Sequence, residues 1–253
     1  MTVSLKALVA AADEILEPAQ FNDYCPNGLQ VAGSDQVARI VSGVTASQAL
    51  IEAAIAENAD AILVHHGYFW RGEDPCIVGM KRNRLALLLA NNISLIAYHL
   101  PLDAHPVLGN NAQLAKRLGI EVDGGLDANH SRSVGNVGYL AEAVSADVFA
   151  EHVRRVLGRT PLLEVGHDRP IKRIAWCTGG AQSYIDKAVA AGVDAYLSGE
   201  VSEPTILAAR ELGIHYIAAG HHATERYGIQ ALAENLADRF GLYHRFIDID
   251  NPA

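Results

Sequence analysis

Apolar residues recur along this chain in two rhythms. From about Val3 to Leu16 they fall at helical spacing, and Pro18 stops the run, which predicts an amphipathic helix. Residues 39–66 read differently. A β-rich run from Arg39 to Val44 leads to a polar turn, then to apolar residues at helical spacing (Leu50, Ile51, Ala54, Ile55), then to the short apolar run AILV. Strand, helix and buried strand in that order predict a βαβ unit with parallel strands.

Residues 173–200 repeat the plan. Arg173 to Cys177 is the strand, Tyr184, Ile185, Ala188 and Val189 mark the helix, and AYL is the second strand. The two segments align without gaps at an offset of 134, with nine of 28 positions identical, Asp60/Asp194 and Arg39/Arg173 among them. A second pair extends the match: ISLIAYHLPLD (93–103) resembles IHYIAAGHHAT (214–224) at an offset of 121. Each reads as an apolar strand ending in a histidine-bearing loop, followed by a helix (Asn110 to Leu118; about Ala223 to Phe240) that stops at Gly119 or Gly241. The expected fold class is therefore α/β: two related lobes from an internal duplication of a βαβ-type unit, with the boundary near residue 125 (1–125 and 126–253). The stretch 125–170, which holds GNVGYL and a helical run from Ala146 to Val156, gives no sharp dividing point.

Composition narrows the function classes. Apolar residues make up 50% and charged residues 19%, an ordinary globular balance, and no run approaches the length of a membrane helix. Net charge is −9, which disfavours a nucleic-acid partner, and no basic cluster stands out. Lys6 and the acidic residues after it argue against a signal peptide. Three cysteines, Cys25, Cys76 and Cys177, are widely spaced and odd in number, so they form neither a disulfide framework nor a zinc knuckle. A reducing cytoplasm is the expected location. In CPNGLQV, Pro26, Asn27 and Gly28 signal a turn, and a buried structural role for Cys25 is favoured over a reactive thiol.

Candidate chemistry lies where open α/β sheets place it, at the carboxyl ends of strands. AILVHHG ends in His65 and His66, and Gly67 would let the two rings diverge toward neighbouring ions. IAYHLPLDAH carries His99, Asp103 and His105, with Pro101 stiffening the loop. IAAGHHATE carries His221, His222 and Glu225. His221 and Glu225 stand four apart, one turn on a helix face, and Thr224 could cap the helix or support a ligand. Imidazoles with carboxylates suit zinc, iron, manganese and related ions, and this many donors exceeds what one catalytic zinc takes from protein. His99 and His222 could serve in acid–base work or orient a ligand. GGAQ (179–182) could receive an anion, but a tight turn is the favoured reading.

CPNGLQV (25–31), HHGYFW (65–70), YHLPLDAH (98–105), GNNAQLA (109–115), SGE (198–200) and AGHHATERYGIQAL (219–232) together resemble the GTP cyclohydrolase 1 type 2 homologs, the YbgI-like or Nif-three-like proteins. The resemblance spans nearly the whole chain. It implies a dinuclear metal centre between two related lobes and a toroidal homohexamer. Its ligands fall on His65, His66, Asp103, His221 and Glu225, with Asp103 and Glu225 suited to touch both ions. Longer relatives carry an inserted domain that 253 residues leave no room for. The family name implies hydrolytic opening of the guanine ring of GTP. The expected function is therefore metal-dependent hydrolysis of a nucleotide or other small phosphorylated molecule, with two divalent ions per subunit. The alternative is a non-catalytic metal-binding or regulatory assembly.

Overall fold

The computed structural model describes residues 1–127, 130 and 132–253. The remaining three positions fall in the stretch where the boundary is expected and lie outside the described residues. The chain forms two compact units. One comprises Met1–Leu102 and Gly228–Asp250, the other Asp103–Tyr227 and Asn251–Ala253.

In the first unit, β1 (Val3–Ser4) leads into α1 (Leu5–Leu16). Ser4 caps α1 by accepting the Ala7 N–H, and Glu17 ends it in a left-handed conformation just ahead of Pro18. There follow β2 (Gly28–Val31), β3 (Gln36–Val37), β4 (Arg39–Thr45), α2 (Gln48–Ala56), β5 (Ala61–His66), α3 (Gly79–Ala90) and β6 (Ser94–Ala97). Then α4 (Leu100–Ala104) and α5 (Asn110–Leu118) lead to β7 (Ile120–Gly125), β8 (Asn136–Val144), α6 (Ala146–Leu157) and β9 (Leu162–Glu164). The chain closes with β10 (Ile171–Cys177), α7 (Ile185–Ala190), β11 (Ala195–Ser198), α8 (Glu203–Leu212), β12 (His215–Ala218), α9 (His221–Phe240) and β13 (Tyr243–Phe246). The division between units falls within α4 and within α9.

The sheet of the first unit runs β13-β4-β5-β6-β2, that of the second β7-β8-β10-β11-β12-β9, and β1 pairs with β3. The first unit therefore parts from the second at Leu102, well before the expected point near 125. The cause is packing and pairing: α5 packs on the second core through Leu114 and Leu118, β7 hydrogen-bonds to the next strand, β8, and β13, from the far end of the chain, pairs with β4. No local periodicity encodes these choices.

The duplication holds down to single hydrogen bonds. Ile40 pairs with Ala61 across β4 and β5, and Ile174 with Ala195 across β10 and β11. Ala61 pairs with Ser94, and Ala195 with His215, so both offsets read from the sequence reappear as strand register. The flanking antiparallel strands follow suit, with Gly28 opposite Ala97 and Leu162 opposite Ala218. Asp60 explains why one acidic residue recurs. Its Oδ2 accepts the backbone N–H groups of Ala38 and Arg39 at 2.7 and 3.0 Å, and Asp194 does the same for Lys172 and Arg173 at 3.0 and 2.9 Å. Arg39 donates to the Glu57 carbonyl, and Arg173 to that of Ala191, again 134 residues on. Asp60→Ala and Asp194→Ala are each expected to destabilise the protein by about 1.5–3 kcal/mol, the scale of a hydrogen bond to a charged group. Chemical denaturation of the two variants checks it, and a near-zero cost at one position would show that the repeated hydrogen bonds are not repeated in energy.

Each parallel core is buried on both faces, which is why these strands read as continuous apolar runs rather than alternating ones. In the first unit Val41, Ile62, Val64 and Leu95 pack under Leu50 and Ile51 of α2 and Leu88 of α3. On the other face Leu8, Ala12 and Leu236 meet Ile40, Leu63 and Ile96. In the second unit Ile174, Trp176, Leu197 and Ile217 face α5 and α6 through Leu114, Leu118, Phe149 and Val153. Ala175, Tyr196 and Tyr216 face Ile185, Ala188 and Ala209.

Beside this core His167 and His215 lie in contact, their rings tilted 55° to one another with centroids 3.9 Å apart. His167 Nδ1 accepts the Arg169 N–H, and His215 Nδ1 accepts that of Gly166. Burial lowers the pKa of His167, His215 and Arg169 add to the effect, and Asp194 opposes it. A ring whose pKa falls on folding supports the fold while neutral. That support is complete above the ordinary histidine value of about 6.5 and is withdrawn as pH drops through the lower folded value. The thermal midpoint is expected to fall more steeply from about pH 7 to about pH 5 in the natural protein than in His167→Asn, whose Oδ1 keeps the acceptor but cannot titrate. Parallel curves would rule this out.

Candidate metal centre

The histidine pair of the first unit closes β5. Both residues lie inside the strand rather than beyond it, and their rings sit close, with centroids 4.5 Å apart. Their tethers differ. His65, fully buried, is held through Nδ1 by the Tyr98 carbonyl at 2.9 Å, while His66 is held through Nδ1 by the Thr45 hydroxyl at 3.1 Å. Rings anchored through Nδ1 present Nε2 to a ligand, the usual way protein histidines are readied for a metal.

A third ring joins them. His99 lies 5.1 Å from His65 and 5.7 Å from His66, centroid to centroid, and one ring nitrogen from each of the three falls within 4.8 Å of the others. Its Nδ1 meets Asp23 Oδ1 at 2.7 Å. Asp23 is in turn fixed by Asn27, by the Leu100 N–H and by its neighbour Tyr24. Burial raises the Asp23 pKa, but the bonds from His99, Asn27 and Tyr24 outweigh it and hold the carboxyl below its usual range. Trp70 covers the cluster edge-on to His99 at 5.0 Å. Burial, with Asp23 nearby, pushes the Cys25 thiol up to about 12, which favours the protonated thiol over the nucleophilic thiolate.

The second unit carries the carboxylates. His221 opens α9, two residues earlier than the sequence suggests, so His221 and Glu225 share the first turn. His221 Nε2 lies 3.1 Å from Glu225 Oε2, and its Nδ1 lies 2.7 Å from Glu200 Oε1. Burial pulls the His221 pKa down, but Glu225 and Glu200 prevail and push it up to about 9. The surroundings thus favour a positive charge at this spot. Glu200 is held by Gln182 through its side chain and by the Tyr216 hydroxyl through its carbonyl.

Asp103, 7% exposed, accepts hydrogen bonds at Oδ1 from Asn110 at 2.8 Å and Thr178 at 3.4 Å. Asn111 binds the Asp103 carbonyl and the Thr178 N–H, tying α4 to the end of β10. Asp103 and Glu225 both lie near enough to Cys177 to raise its thiol pKa further, after burial has raised it most.

Gly179 ends the β10 turn with φ +67, and a Cβ there would collide with Glu225 Oε1. Only glycine leaves the carboxylate its place. Thr224 fastens the same turn, accepting the Gly179 N–H and donating to the Gly220 carbonyl, so it supports the turn and the helix start together. His105 Nδ1 accepts two backbone N–H groups of its own loop, and the His222 N–H meets the Ala253 carbonyl.

The sequence-predicted donors thus gather in two sets: His65 and His66 in the first unit, Asp103, His221 and Glu225 in the second. Asp23, Thr45 and Glu200 go unrecognised from sequence. Glu200 is aligned with His66 by the repeat, but only the fold shows it orienting His221.

A family model described as Duf34/NIF3 (NGG1p interacting factor 3) matches residues 3–252. The chain belongs to the Duf34/NIF3 family. A Pseudomonas aeruginosa relative named GTP cyclohydrolase 1 type 2 homolog is 63% identical over the full length of both chains. Among solved structures, protein ybgI, described as of unknown function, is 53% identical with a TM-score of 0.96, covering 99% of this chain and all of its own. A Thermus thermophilus protein is 32% identical with a TM-score of 0.90 over the same shares. These matches run end to end, so this chain shares its α/β fold, with no inserted domain, with those relatives. Among the described residues no helix is long and apolar enough to cross a membrane.

Proposed function

We propose that this NIF3-family chain binds two divalent ions through His65, His66, Asp103, His221 and Glu225, and that it hydrolyses a nucleotide or other small phosphorylated molecule as part of a homohexamer. The observation that carries the reading is how the donors are held. All three imidazoles are anchored through Nδ1, and the two carboxylates are nearly or fully buried. Buried carboxylates are costly unless a cation meets them, and imidazole with carboxylate fits zinc, iron or manganese. The rise of the His221 pKa to about 9 fits the same picture, since a site that draws a proton draws a cation.

Such ions, when bound, polarise a substrate oxygen and acidify a coordinated water. The chain's own residues set the geometry: Glu200 fixes the tautomer of His221, Asn110 and Thr178 fix Asp103, and Trp70 lies against the rings of His66 and His99. The reaction is addition of water. Its oxygen bonds to the attacked carbon or phosphorus, the bond to the leaving nitrogen or oxygen breaks, and a water proton passes to the leaving atom. The name GTP cyclohydrolase 1 type 2 homolog carried by the relatives makes purine nucleoside triphosphates the first substrates to try.

Elemental analysis of freshly purified protein, followed by a metabolite screen with the metal found, tests this. Two ions per chain and turnover lost in His65→Ala are expected. Full activity of His65→Ala in metal-free buffer would end the proposal. The family description as an interacting factor favours a second reading, a non-catalytic metal-binding assembly. A metal-loaded hexamer by light scattering that turns over nothing in the screen would select it.

A further inference from the structure

We infer that Arg159, in the second unit, receives an anionic group of the substrate, a phosphate or comparable oxyanion, beside the start of α9. The inference rests on the reading of a phosphorylated substrate above and names a residue that would bind it.

Arg159 stands in the turn after α6, where Gly158 ends the helix with φ +73. That end of α6 is fastened to α9. Arg226 donates to the Leu157 carbonyl at 2.6 Å, and the Tyr227 hydroxyl donates to that of Val156 at 3.4 Å. The turn is therefore held in place, and other side chains serve the helix-end carbonyls. The Arg159 side chain runs to the end of β12 and lies against Gly220, the residue before His221. A Cβ at Gly220 would collide with Nη1 and would fall 2.8 Å from Cδ and 2.9 Å from Cζ. Gly220 also holds φ +100, a conformation that residues with a side chain disfavour. Glycine thus leaves a berth for a guanidinium next to the first turn of α9, the turn that carries His221 and Glu225.

The carrying observation is that this half-buried guanidinium has no acceptor. Among the described residues it makes no hydrogen bond or ion pair, and Nη1 is shut off from water without a partner. Nε and Nη2 stay open to solvent. Taking a charged donor out of water unpaired costs free energy. Arg173 and Arg226, half-buried in the same unit, each give an N–H to a backbone carbonyl, of Ala191 and Leu157. An arginine kept only for structure would be tied likewise. Free N–H groups in a planar fork match two oxygens of a phosphate. The His222 N–H is engaged by the Ala253 carbonyl, so Arg159 rather than the helix end supplies the donors. In a chain of net charge −9, an uncompensated cation at this place draws an anion to it.

Calorimetric titration of the full-length protein, carrying the metal it is purified with, against GTP, guanosine and inorganic pyrophosphate tests it. Arg159→Ala is expected to bind GTP and pyrophosphate at least about tenfold more weakly, as loss of a hydrogen bond to a charged group does. Its metal content by elemental analysis is expected to match that of the natural protein, and its thermal midpoint to stay within about 2 °C, since the side chain holds no partner in the fold. Arg159→Lys keeps the charge and loses the two-pronged contact. It is expected to bind both at least about threefold more weakly, and it carries the test if Arg159→Ala does not fold. Natural affinity for GTP and pyrophosphate in these variants, or an equal loss for guanosine, would overturn the inference and leave the metal-binding reading standing. A natural protein that holds its metal but binds neither GTP nor pyrophosphate would sink the inference and the phosphorylated-substrate reading together.

Discussion

Glu225→Gln is expected to lose divalent metal by a factor of at least about 100 while remaining folded, more than the 10–100-fold that follows loss of a partner behind a ligand. Glu225 is 3% exposed, and a charge that deep is retained at a cost. Glutamine keeps the volume and one acceptor oxygen but removes the charge. His221 then loses its strongest partner, and its pKa is expected to drop from about 9 toward the ordinary range, since Glu225 stands ahead of Glu200 among the groups that raise it. Because the pairing with Glu225 is what raises the His221 pKa, its loss removes stability present below the raised value, and the metal-free variant is expected to melt lower at neutral pH than the metal-free natural protein. Calorimetric titration and thermal scans of both stripped proteins read the two effects separately. Wild-type affinity in Glu225→Gln would remove Glu225 from the ligand set.

Trp176→Ala is expected to carry the largest stability cost, about 3–5 kcal/mol. Trp176 heads the fully buried side chains by volume and packs among Leu114, Leu118, Phe149 and Val153. Its indole N–H also donates to the Asn111 carbonyl at 3.0 Å. Asn111 holds the Asp103 carbonyl and the Thr178 N–H, so the cavity loosens the support of a proposed ligand as well as the core. Trp176→Phe separates the two effects. It keeps most of the volume and loses the polar contact, for about 0.5–1.5 kcal/mol. Denaturant unfolding of the pair measures both, and equal costs would mean that the hydrogen bond rather than the packing dominates.

What is legible in the sequence is what neighbouring residues decide. The parallel strands, the helices between them and the repeat are visible, because Asp60 and Asp194 each bind the backbone at the start of the same unit. The helix stops at Gly119 and Gly241 are visible for the same reason. The units divide at Leu102 rather than near residue 125 because α5 packs on the second core and β13 pairs with β4, choices that no periodicity announces. At the candidate centre, residue types and spacings mark the donors. Their supports are out of reach. His99 finds Asp23 across 76 positions, and His65 leans on a backbone carbonyl, which every residue possesses.

The equivalence of His66 and Glu200 has a consequence of its own. A pair of identical chains must place the same residue on both sides of its two-fold axis. Two copies fused in one polypeptide are released from that symmetry and can change one at a time. Here one copy carries an imidazole at the shared position, and the other holds a carboxylate that steadies a histidine. The products are a nitrogen-rich set and a mixed nitrogen–oxygen set. Such sets rank borderline and hard cations differently, so one chain can present two cation preferences built from a single ancestral plan.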